Sequence, residues 1–175
     1  MRSIILVLLF IFIGHQQLFA QKTTKIWVVR HAEKDTSNTK DRDPDLSPEG
    51  KERAEDLMRY LKSEKLDSIF STNYKRTRLT GFRLADHIGI SIKNYNAADQ
   101  DAWAKELAAN AQGKKMLIIG HSNTVQELLL ALGAEKKPVK DLTEADYDYI
   151  FLLTIKGSKV DVKVDRFGKS NHSGD

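Results

Sequence analysis

Arg30 and His31 follow directly on the apolar, β-branched run Ile26 to Val29, and His121 follows Gly120 at the end of a second apolar run, Met116 to Ile119. Such runs fit buried strands better than helices. In an open α/β sheet, ligands bind just outside the carboxyl ends of the strands. A fixed cation beside an imidazole at that point offers a nucleophile next to a charge that can hold an anion. Arg76 adds a second guanidinium, early in the helical pattern that follows the strand-like segment Asp67 to Ser71. A helix N-terminus presents free N–H groups and a positive dipole end, and an arginine there can bind phosphate oxygens in pairs. Taken singly, each feature has a plain alternative: a strand ending in polar residues for Arg30-His31, a solvated helix face for Arg76 and Arg78. Of the other histidines, His15 lies in the apolar N-terminal stretch, His172 in the polar C-terminus, and His87 beside Asp86 in a helical pattern. A metal site is the rival reading for His31 and His121, but no Cys and no closely spaced third His accompany them.

The elements that must position these residues alternate along the chain. Thr36 to Pro44 reads as a polar loop. Ser47-Pro48-Glu49 opens a helix, with Ser47 as cap and Pro48 in the first turn, and Ala54, Leu57, Met58 and Leu61 on one face. A second helix runs from Asn73 to the breaker Gly89, and Ile90 to Ile92 reads as a short strand. Asn94 to Asp101 is an acid-containing loop, with Asp101 as the expected cap of a helix from Ala102 to Gln112. Val125, Leu128, Leu129 and Leu132 keep helical spacing up to Gly133. Pro138 to Asp146 is a connection, and Tyr149 to Ile155 with Lys159 to Val164 reads as a closing hairpin. Arg166 to Asp175 is expected to be a disordered tail. The alternation argues for one α/β domain with a mostly parallel sheet, over residues 21–165.

The 175 residues are 41% hydrophobic and 30% charged, enough for a real core. The first twenty read as a signal peptide: a basic start at Arg2, the apolar run Ile4 to Ile13, and a break after Ala20. The run is short for a membrane span. An exported protein, periplasmic or secreted, with no stable membrane anchor after cleavage is therefore expected. There is no Cys, so no disulfide and no lipid attachment at cysteine. The net charge of +4 comes from 28 basic and 24 acidic residues that interleave, a mixed surface rather than a nucleic-acid stripe.

Three segments in order resemble the histidine phosphatase superfamily, phosphoglycerate mutase-like, branch 1. Arg30-His31-Ala32-Glu33 is similar to its Arg-His-Gly signature, with Ala32 for the usual Gly. Ser71-Thr72-Asn73-Tyr74-Lys75-Arg76-Thr77 is similar to its Ser-Ser-Pro-Leu-x-Arg-Ala segment, and Gly120-His121-Ser122-Asn123 to its Gly-His-Ser segment. The resemblance covers Lys25 to Val164 and implies a three-layer α/β/α fold. It implies that His31 attacks phosphorus to form a phosphohistidine, that Arg30, Arg76 and protonated His121 surround the phosphoryl oxygens, and that neither metal nor cofactor is required. Ser122 and Asn38 are further candidate phosphate contacts. The leaving oxygen needs an acid, which the resemblance places in the loop after the third strand. Asp99 is the first choice there, because Asp101 suits a helix cap, and Glu33 is the second.

The implied activity is that of a phosphoric monoester hydrolase of histidine acid phosphatase type. The compact length lacks room for the insertions expected of a mutase. The expected partner is a small-molecule or surface-bound phosphomonoester. A protein phosphohistidine phosphatase is a further possibility, set against the exported compartment. A catalytically weak phosphate-binding or protein-interaction module on the same fold is the alternative of another class.

Overall fold

The computed structural model describes residues 22–171. The expected signal peptide and the last four residues of the expected tail lie outside them. No helix among the described residues is long and apolar enough to cross a membrane.

Strand β1 (Thr24–Arg30) is the centre of the sheet. It pairs in parallel with β4 (Lys115–Gly120) on one side and antiparallel with β5 (Tyr149–Lys156) on the other. Strands β2 (Ser68–Ser71) and β3 (Ile92–Asn94) extend the parallel part, and β6 (Lys159–Arg166) closes a hairpin with β5. The order is β3-β2-β4-β1-β5-β6. Alternate side chains of the central strands feed two cores. Ile26, Val28, Met116, Ile118, Phe151 and Leu153 face α3 (Gln100–Asn110) and α4 (Val125–Ala131). Trp27, Val29, Ile69, Leu117 and Ile119 face α1 (Pro48–Leu61) and α2 (Lys75–Ile88). The result is a three-layer α/β/α sandwich whose central strands are apolar on both faces, as a covered parallel sheet requires. On β6 only one face is partly buried, and Lys159, Asp161 and Lys163 point outward on the edge strand.

Local chemistry explains most boundaries. Ser47 caps α1, its Oγ accepting the Gly50 N–H at 3.1 Å, and Pro48 occupies the first turn. Gly89 ends α2 in the left-handed region at φ 72°, and the Gly89 and Ile90 N–H groups bond back to Asp86 and Ala85. That closing turn uses up Ile90, so β3 begins two residues later than expected. The expected Asp101 cap is corrected as well. Asn96 accepts the Ala98 N–H and starts a 3₁₀ turn over Ala97–Asp99, so α3 begins at Gln100 and Asp101 lies in its first turn.

The C-terminal segment departs most from expectation. Phe167 is buried, and the chain from Phe167 to Asn171 is strapped across the molecule rather than loose. Arg53 donates to the Phe167 and Lys169 carbonyls, both at 3.1 Å, and Tyr147 N–H donates to the Asn171 carbonyl at 3.0 Å. The sequence signal is a single aromatic residue in a polar run, too little to mark a docked segment.

Candidate active site

The register decides the site. Arg30 lies opposite Gly120 at the last rung between β1 and β4, so His31 and His121 leave the sheet side by side. The His31 backbone N–H continues the ladder to the Gly120 carbonyl at 3.0 Å. The two imidazoles meet edge to face, ring centres 5.4 Å apart. β2 ends one strand further out at Ser71, and the turn after it brings Thr72, Tyr74 and Arg76 to the same end of the sheet.

His31 is held from two sides. Its Nδ1 lies 2.7 Å from the Ala32 carbonyl, an acceptor, so the proton sits on Nδ1 and the Nε2 lone pair is left free. The Ala32 N–H donates to Thr80 Oγ1 at 2.8 Å, which fixes the following peptide to α2. Burial, with Arg30, His121 and Arg76 adding like charge, lowers the His31 pKa from 6.5 to about 3, despite the opposing bond to Ala32. The ring is therefore neutral, as a nucleophile must be, over the whole physiological range.

His121 sits at the end of a relay of hydroxyls. Thr77 Oγ1 lies 2.9 Å from both the Thr72 and Tyr74 carbonyls, so its proton is directed there. It then accepts from Thr72 Oγ1 at 3.1 Å, which leaves Thr72 to accept from His121 Nε2 at 2.8 Å. This arrangement satisfies every contact and places the neutral ring's proton on Nε2. Burial, then Arg76 and Arg30, lowers the His121 pKa to about 4. The protonated His121 of the sequence reading is thus not the state of the ligand-free molecule. An incoming dianion supplies the opposite charge that favours protonation.

The guanidiniums are placed unequally. Arg30 is buried beneath the loop before β5. Its Nη1 donates to the Thr143 and Asp146 carbonyls at 2.6 and 3.2 Å, its Nη2 donates to Glu144 Oε2 and Tyr147 Oη at 3.0 and 3.2 Å, and its plane lies 3.9 Å from the Tyr147 ring centre. Its Nε–H is buried with no partner. Arg76 lies over Tyr74, 4.4 Å from the ring centre, with Asp43 3.8 Å from its Nη1. Tyr74 in turn packs edge-on against His121. The first N–H of α2 is not open to a ligand, because Asp43 Oδ1 accepts it from Lys75 at 2.9 Å.

The other candidates do not join the four. Glu33 is turned away into an ion pair: Arg53 Nε lies 2.9 Å from both its oxygens, Arg53 Nη2 2.7 Å from Oε1, and Asn171 Nδ2 2.8 Å from Oε1. Burial pushes the Glu33 carboxyl up, but the bonds from Arg53, a backbone N–H and Asn171 outweigh it and hold the pKa below the usual range. A carboxyl held ionised in this way is a poor proton donor. Asp99 is exposed and accepts from Asn96 Nδ2 at 2.8 Å, and neither it nor Asp101 bonds to any of the phosphate candidates. Asn38 closes its own turn, accepting the Lys40 N–H at 3.1 Å. Ser122 Oγ faces Glu144 Oε1 at 3.4 Å. No group of three or more His, Cys, Asp or Glu among the described residues could hold a metal ion.

Residues 26–99 match the model of the histidine phosphatase superfamily, branch 1. The fold of this chain is similar to that of the protein histidine phosphatase SixA complexed with tungstate, at TM-score 0.62 and 17% identity over 79% of this chain and 94% of that one. It is also similar to phosphoserine phosphatase from Entamoeba histolytica, at TM-score 0.60 and 14% identity over 86% of this chain and 98% of that one. In sequence it is 43% identical over 73 residues to phosphoserine phosphatase 1 of Hydrogenobacter thermophilus, a match that takes in 39% of this chain and 34% of the relative. The chain thus spans about a third of the length of the curated relative it matches. Tyr147, Glu144, Thr72 and Thr80 are the residues around Arg30 and the two histidines that sequence reasoning missed. Thr72 lies inside a recognised segment. Glu144 lies in the connection Pro138 to Asp146 and Tyr147 directly after it, where composition carries no signal.

Proposed function

We propose that the chain is a metal-independent phosphomonoester hydrolase of histidine acid phosphatase type that works through a phosphohistidine on His31. The observation that carries this reading is the pair of neutral imidazoles, His31 buried and His121 half-buried, 5.4 Å apart at the ends of neighbouring strands, with Arg30 and Arg76 beside them. His31 Nε2 attacks phosphorus in line. The charge on the three equatorial oxygens is met by Arg76, by His121 once the dianion has protonated it, and by Arg30, whose unpartnered Nε–H is a buried donor awaiting an acceptor. Water then displaces the phosphoryl group from His31. With these cations in place the resident residues supply the charge stabilisation that a divalent ion provides elsewhere.

The organic part of the substrate has room beside Tyr74. A groove of about 830 Å³ runs along Tyr74, Leu79 and Phe82 to Ile92, with Asp43 and Lys75 at its edge. It touches the site through Tyr74, and its open, mixed lining suits a small or surface-bound monoester. Together with the leader-like N-terminus this favours an exported enzyme acting on such esters.

A second reading rests on Arg30, both of whose Nη atoms are already bonded within the protein. A phosphate-binding module that does not turn over would tolerate that arrangement. Hydrolysis of 4-nitrophenyl phosphate in the presence of chelator, beside His31→Ala, separates the two. The expected result is turnover that survives chelation, falls about a thousandfold or more in the variant, and leaves an acid-labile, base-stable phosphate on trapped wild-type protein. Phosphate binding without turnover on any monoester supports the module.

A further inference from the structure

Resting on the phosphatase reading above, we propose that Glu144 is the proton-transfer group of this site, giving its proton to the leaving oxygen and later taking one from the attacking water. Among the described residues it is the carboxylate that touches two of the candidate phosphate ligands, Arg30 Nη2 at 3.0 Å and Ser122 Oγ at 3.4 Å. Lys34 Nζ lies 3.8 Å away. Asp43 touches only Arg76 and is anchored by the Lys75 N–H, and Glu33 is committed to Arg53.

Position along the reaction axis favours Glu144. In-line attack from buried His31 directs the leaving oxygen to the opposite side of phosphorus, toward solvent. Glu144 is 72% exposed, on the loop whose Tyr147 packs against both Arg30 and His31. In the ligand-free molecule its carboxylate occupies Arg30 as a phosphate oxygen would. A phosphate dianion that takes over Arg30 removes that cation from Glu144 and sets a like charge beside it, while Lys34 remains opposed.

The steps balance. As the His31 Nε2 lone pair forms the P–N bond, the P–O bond breaks toward the leaving oxygen, which takes the Glu144 proton and departs as the alcohol. The Glu144 carboxylate then takes a proton from water as that oxygen attacks phosphorus. The P–N bond breaks, its electron pair returns to Nε2, and inorganic phosphate leaves with Glu144 protonated again.

The test compares kcat/KM, which reports phosphoryl transfer to His31, for an alkyl phosphate and for 2,4-dinitrophenyl phosphate, whose leaving group needs no proton. Glu144→Gln is expected to lose about a hundredfold or more on the alkyl ester and severalfold at most on the dinitrophenyl ester. Glu144→Asp is expected to recover part of the alkyl activity. Equal losses on both esters would make Glu144 a merely structural residue and overturn the assignment. So would unchanged values, or tighter inorganic phosphate binding with faster turnover of both esters, the mark of an internal competitor for Arg30. A wild-type protein inert toward every phosphomonoester overturns the phosphatase reading itself, whereas an active wild type with a leaving-group-independent Glu144→Gln overturns the role of Glu144 alone.

Discussion

The chemistry at His31 is set by what its ring cannot do. It is buried beside cations, and its Nδ1 is committed to the Ala32 carbonyl, so it stays neutral far into acid. The acid limb of kcat/KM for the free enzyme is therefore expected well below 6.5, with activity on 4-nitrophenyl phosphate retained at pH 5. A limb near 6.5 would show that the ring titrates as if exposed. In the proposed mechanism His121 differs, because there it gains a proton when the dianion binds. Calorimetry of inorganic phosphate binding at pH 7 in buffers of different ionisation enthalpy should show proton uptake, lost in His121→Asn. Arg76 is stacked on Tyr74 and planar, a geometry that an ammonium does not reproduce. Arg76→Lys should lower kcat/KM by about a hundredfold with the fold intact.

At the scale of elements, the segment after His31 is clamped between α1, α2 and the C-terminal strap. The Ser47 N–H donates to the Glu33 carbonyl at 3.0 Å, and α1 approaches so closely that a Cβ on Gly50 would lie 2.1 Å from that oxygen. Gly50→Ala must push α1 away from residue 33, and a loss of about 1–3 kcal/mol in urea unfolding is expected. Arg53 is the strap's anchor, with Glu33, Phe167 and Lys169 as partners. Glu33→Ala leaves that buried guanidinium without its counter-charge, and stability should fall by about 3 kcal/mol. Because the pair faces away from the histidines, the leaving-group dependence of the surviving activity should not change. An altered dependence would return Glu33 to the chemistry.

Over the whole molecule, the two histidines tie stability to pH. Their folded pKa values, about 3 and 4, lie below the ordinary 6.5. As pH falls below about 6.5 the unfolded chain takes up protons that the native site refuses. Stability is thus fully present above that pH and declines on acidification through the window down to about 3 to 4, by an amount on the order of a few kcal/mol. The urea midpoint should be lower at pH 5 than at pH 7.5, with a smaller drop in His31→Gln. A midpoint that does not move would contradict the neutral state of both rings.

The apolar runs ending in Arg30-His31 and Gly120-His121, the Ser47-Pro48 cap and the Gly89 stop are local signals, and from them the sequence by itself determined an alternating α/β chain with two histidines at strand ends. Apolar patterning and capping act within a few residues, so they could be read directly. Only the tertiary structure decided which groups meet. The β1–β4 register set His31 beside His121, because sheet order depends on pairing between segments 90 residues apart. The loop before β5 brought Glu144 and Tyr147 to Arg30 across more than 110 residues. Where the two other carboxylates point is likewise fixed by their partners, Arg53 on α1 for Glu33 and Asn96 within its own turn for Asp99, and not by distance along the chain from His31.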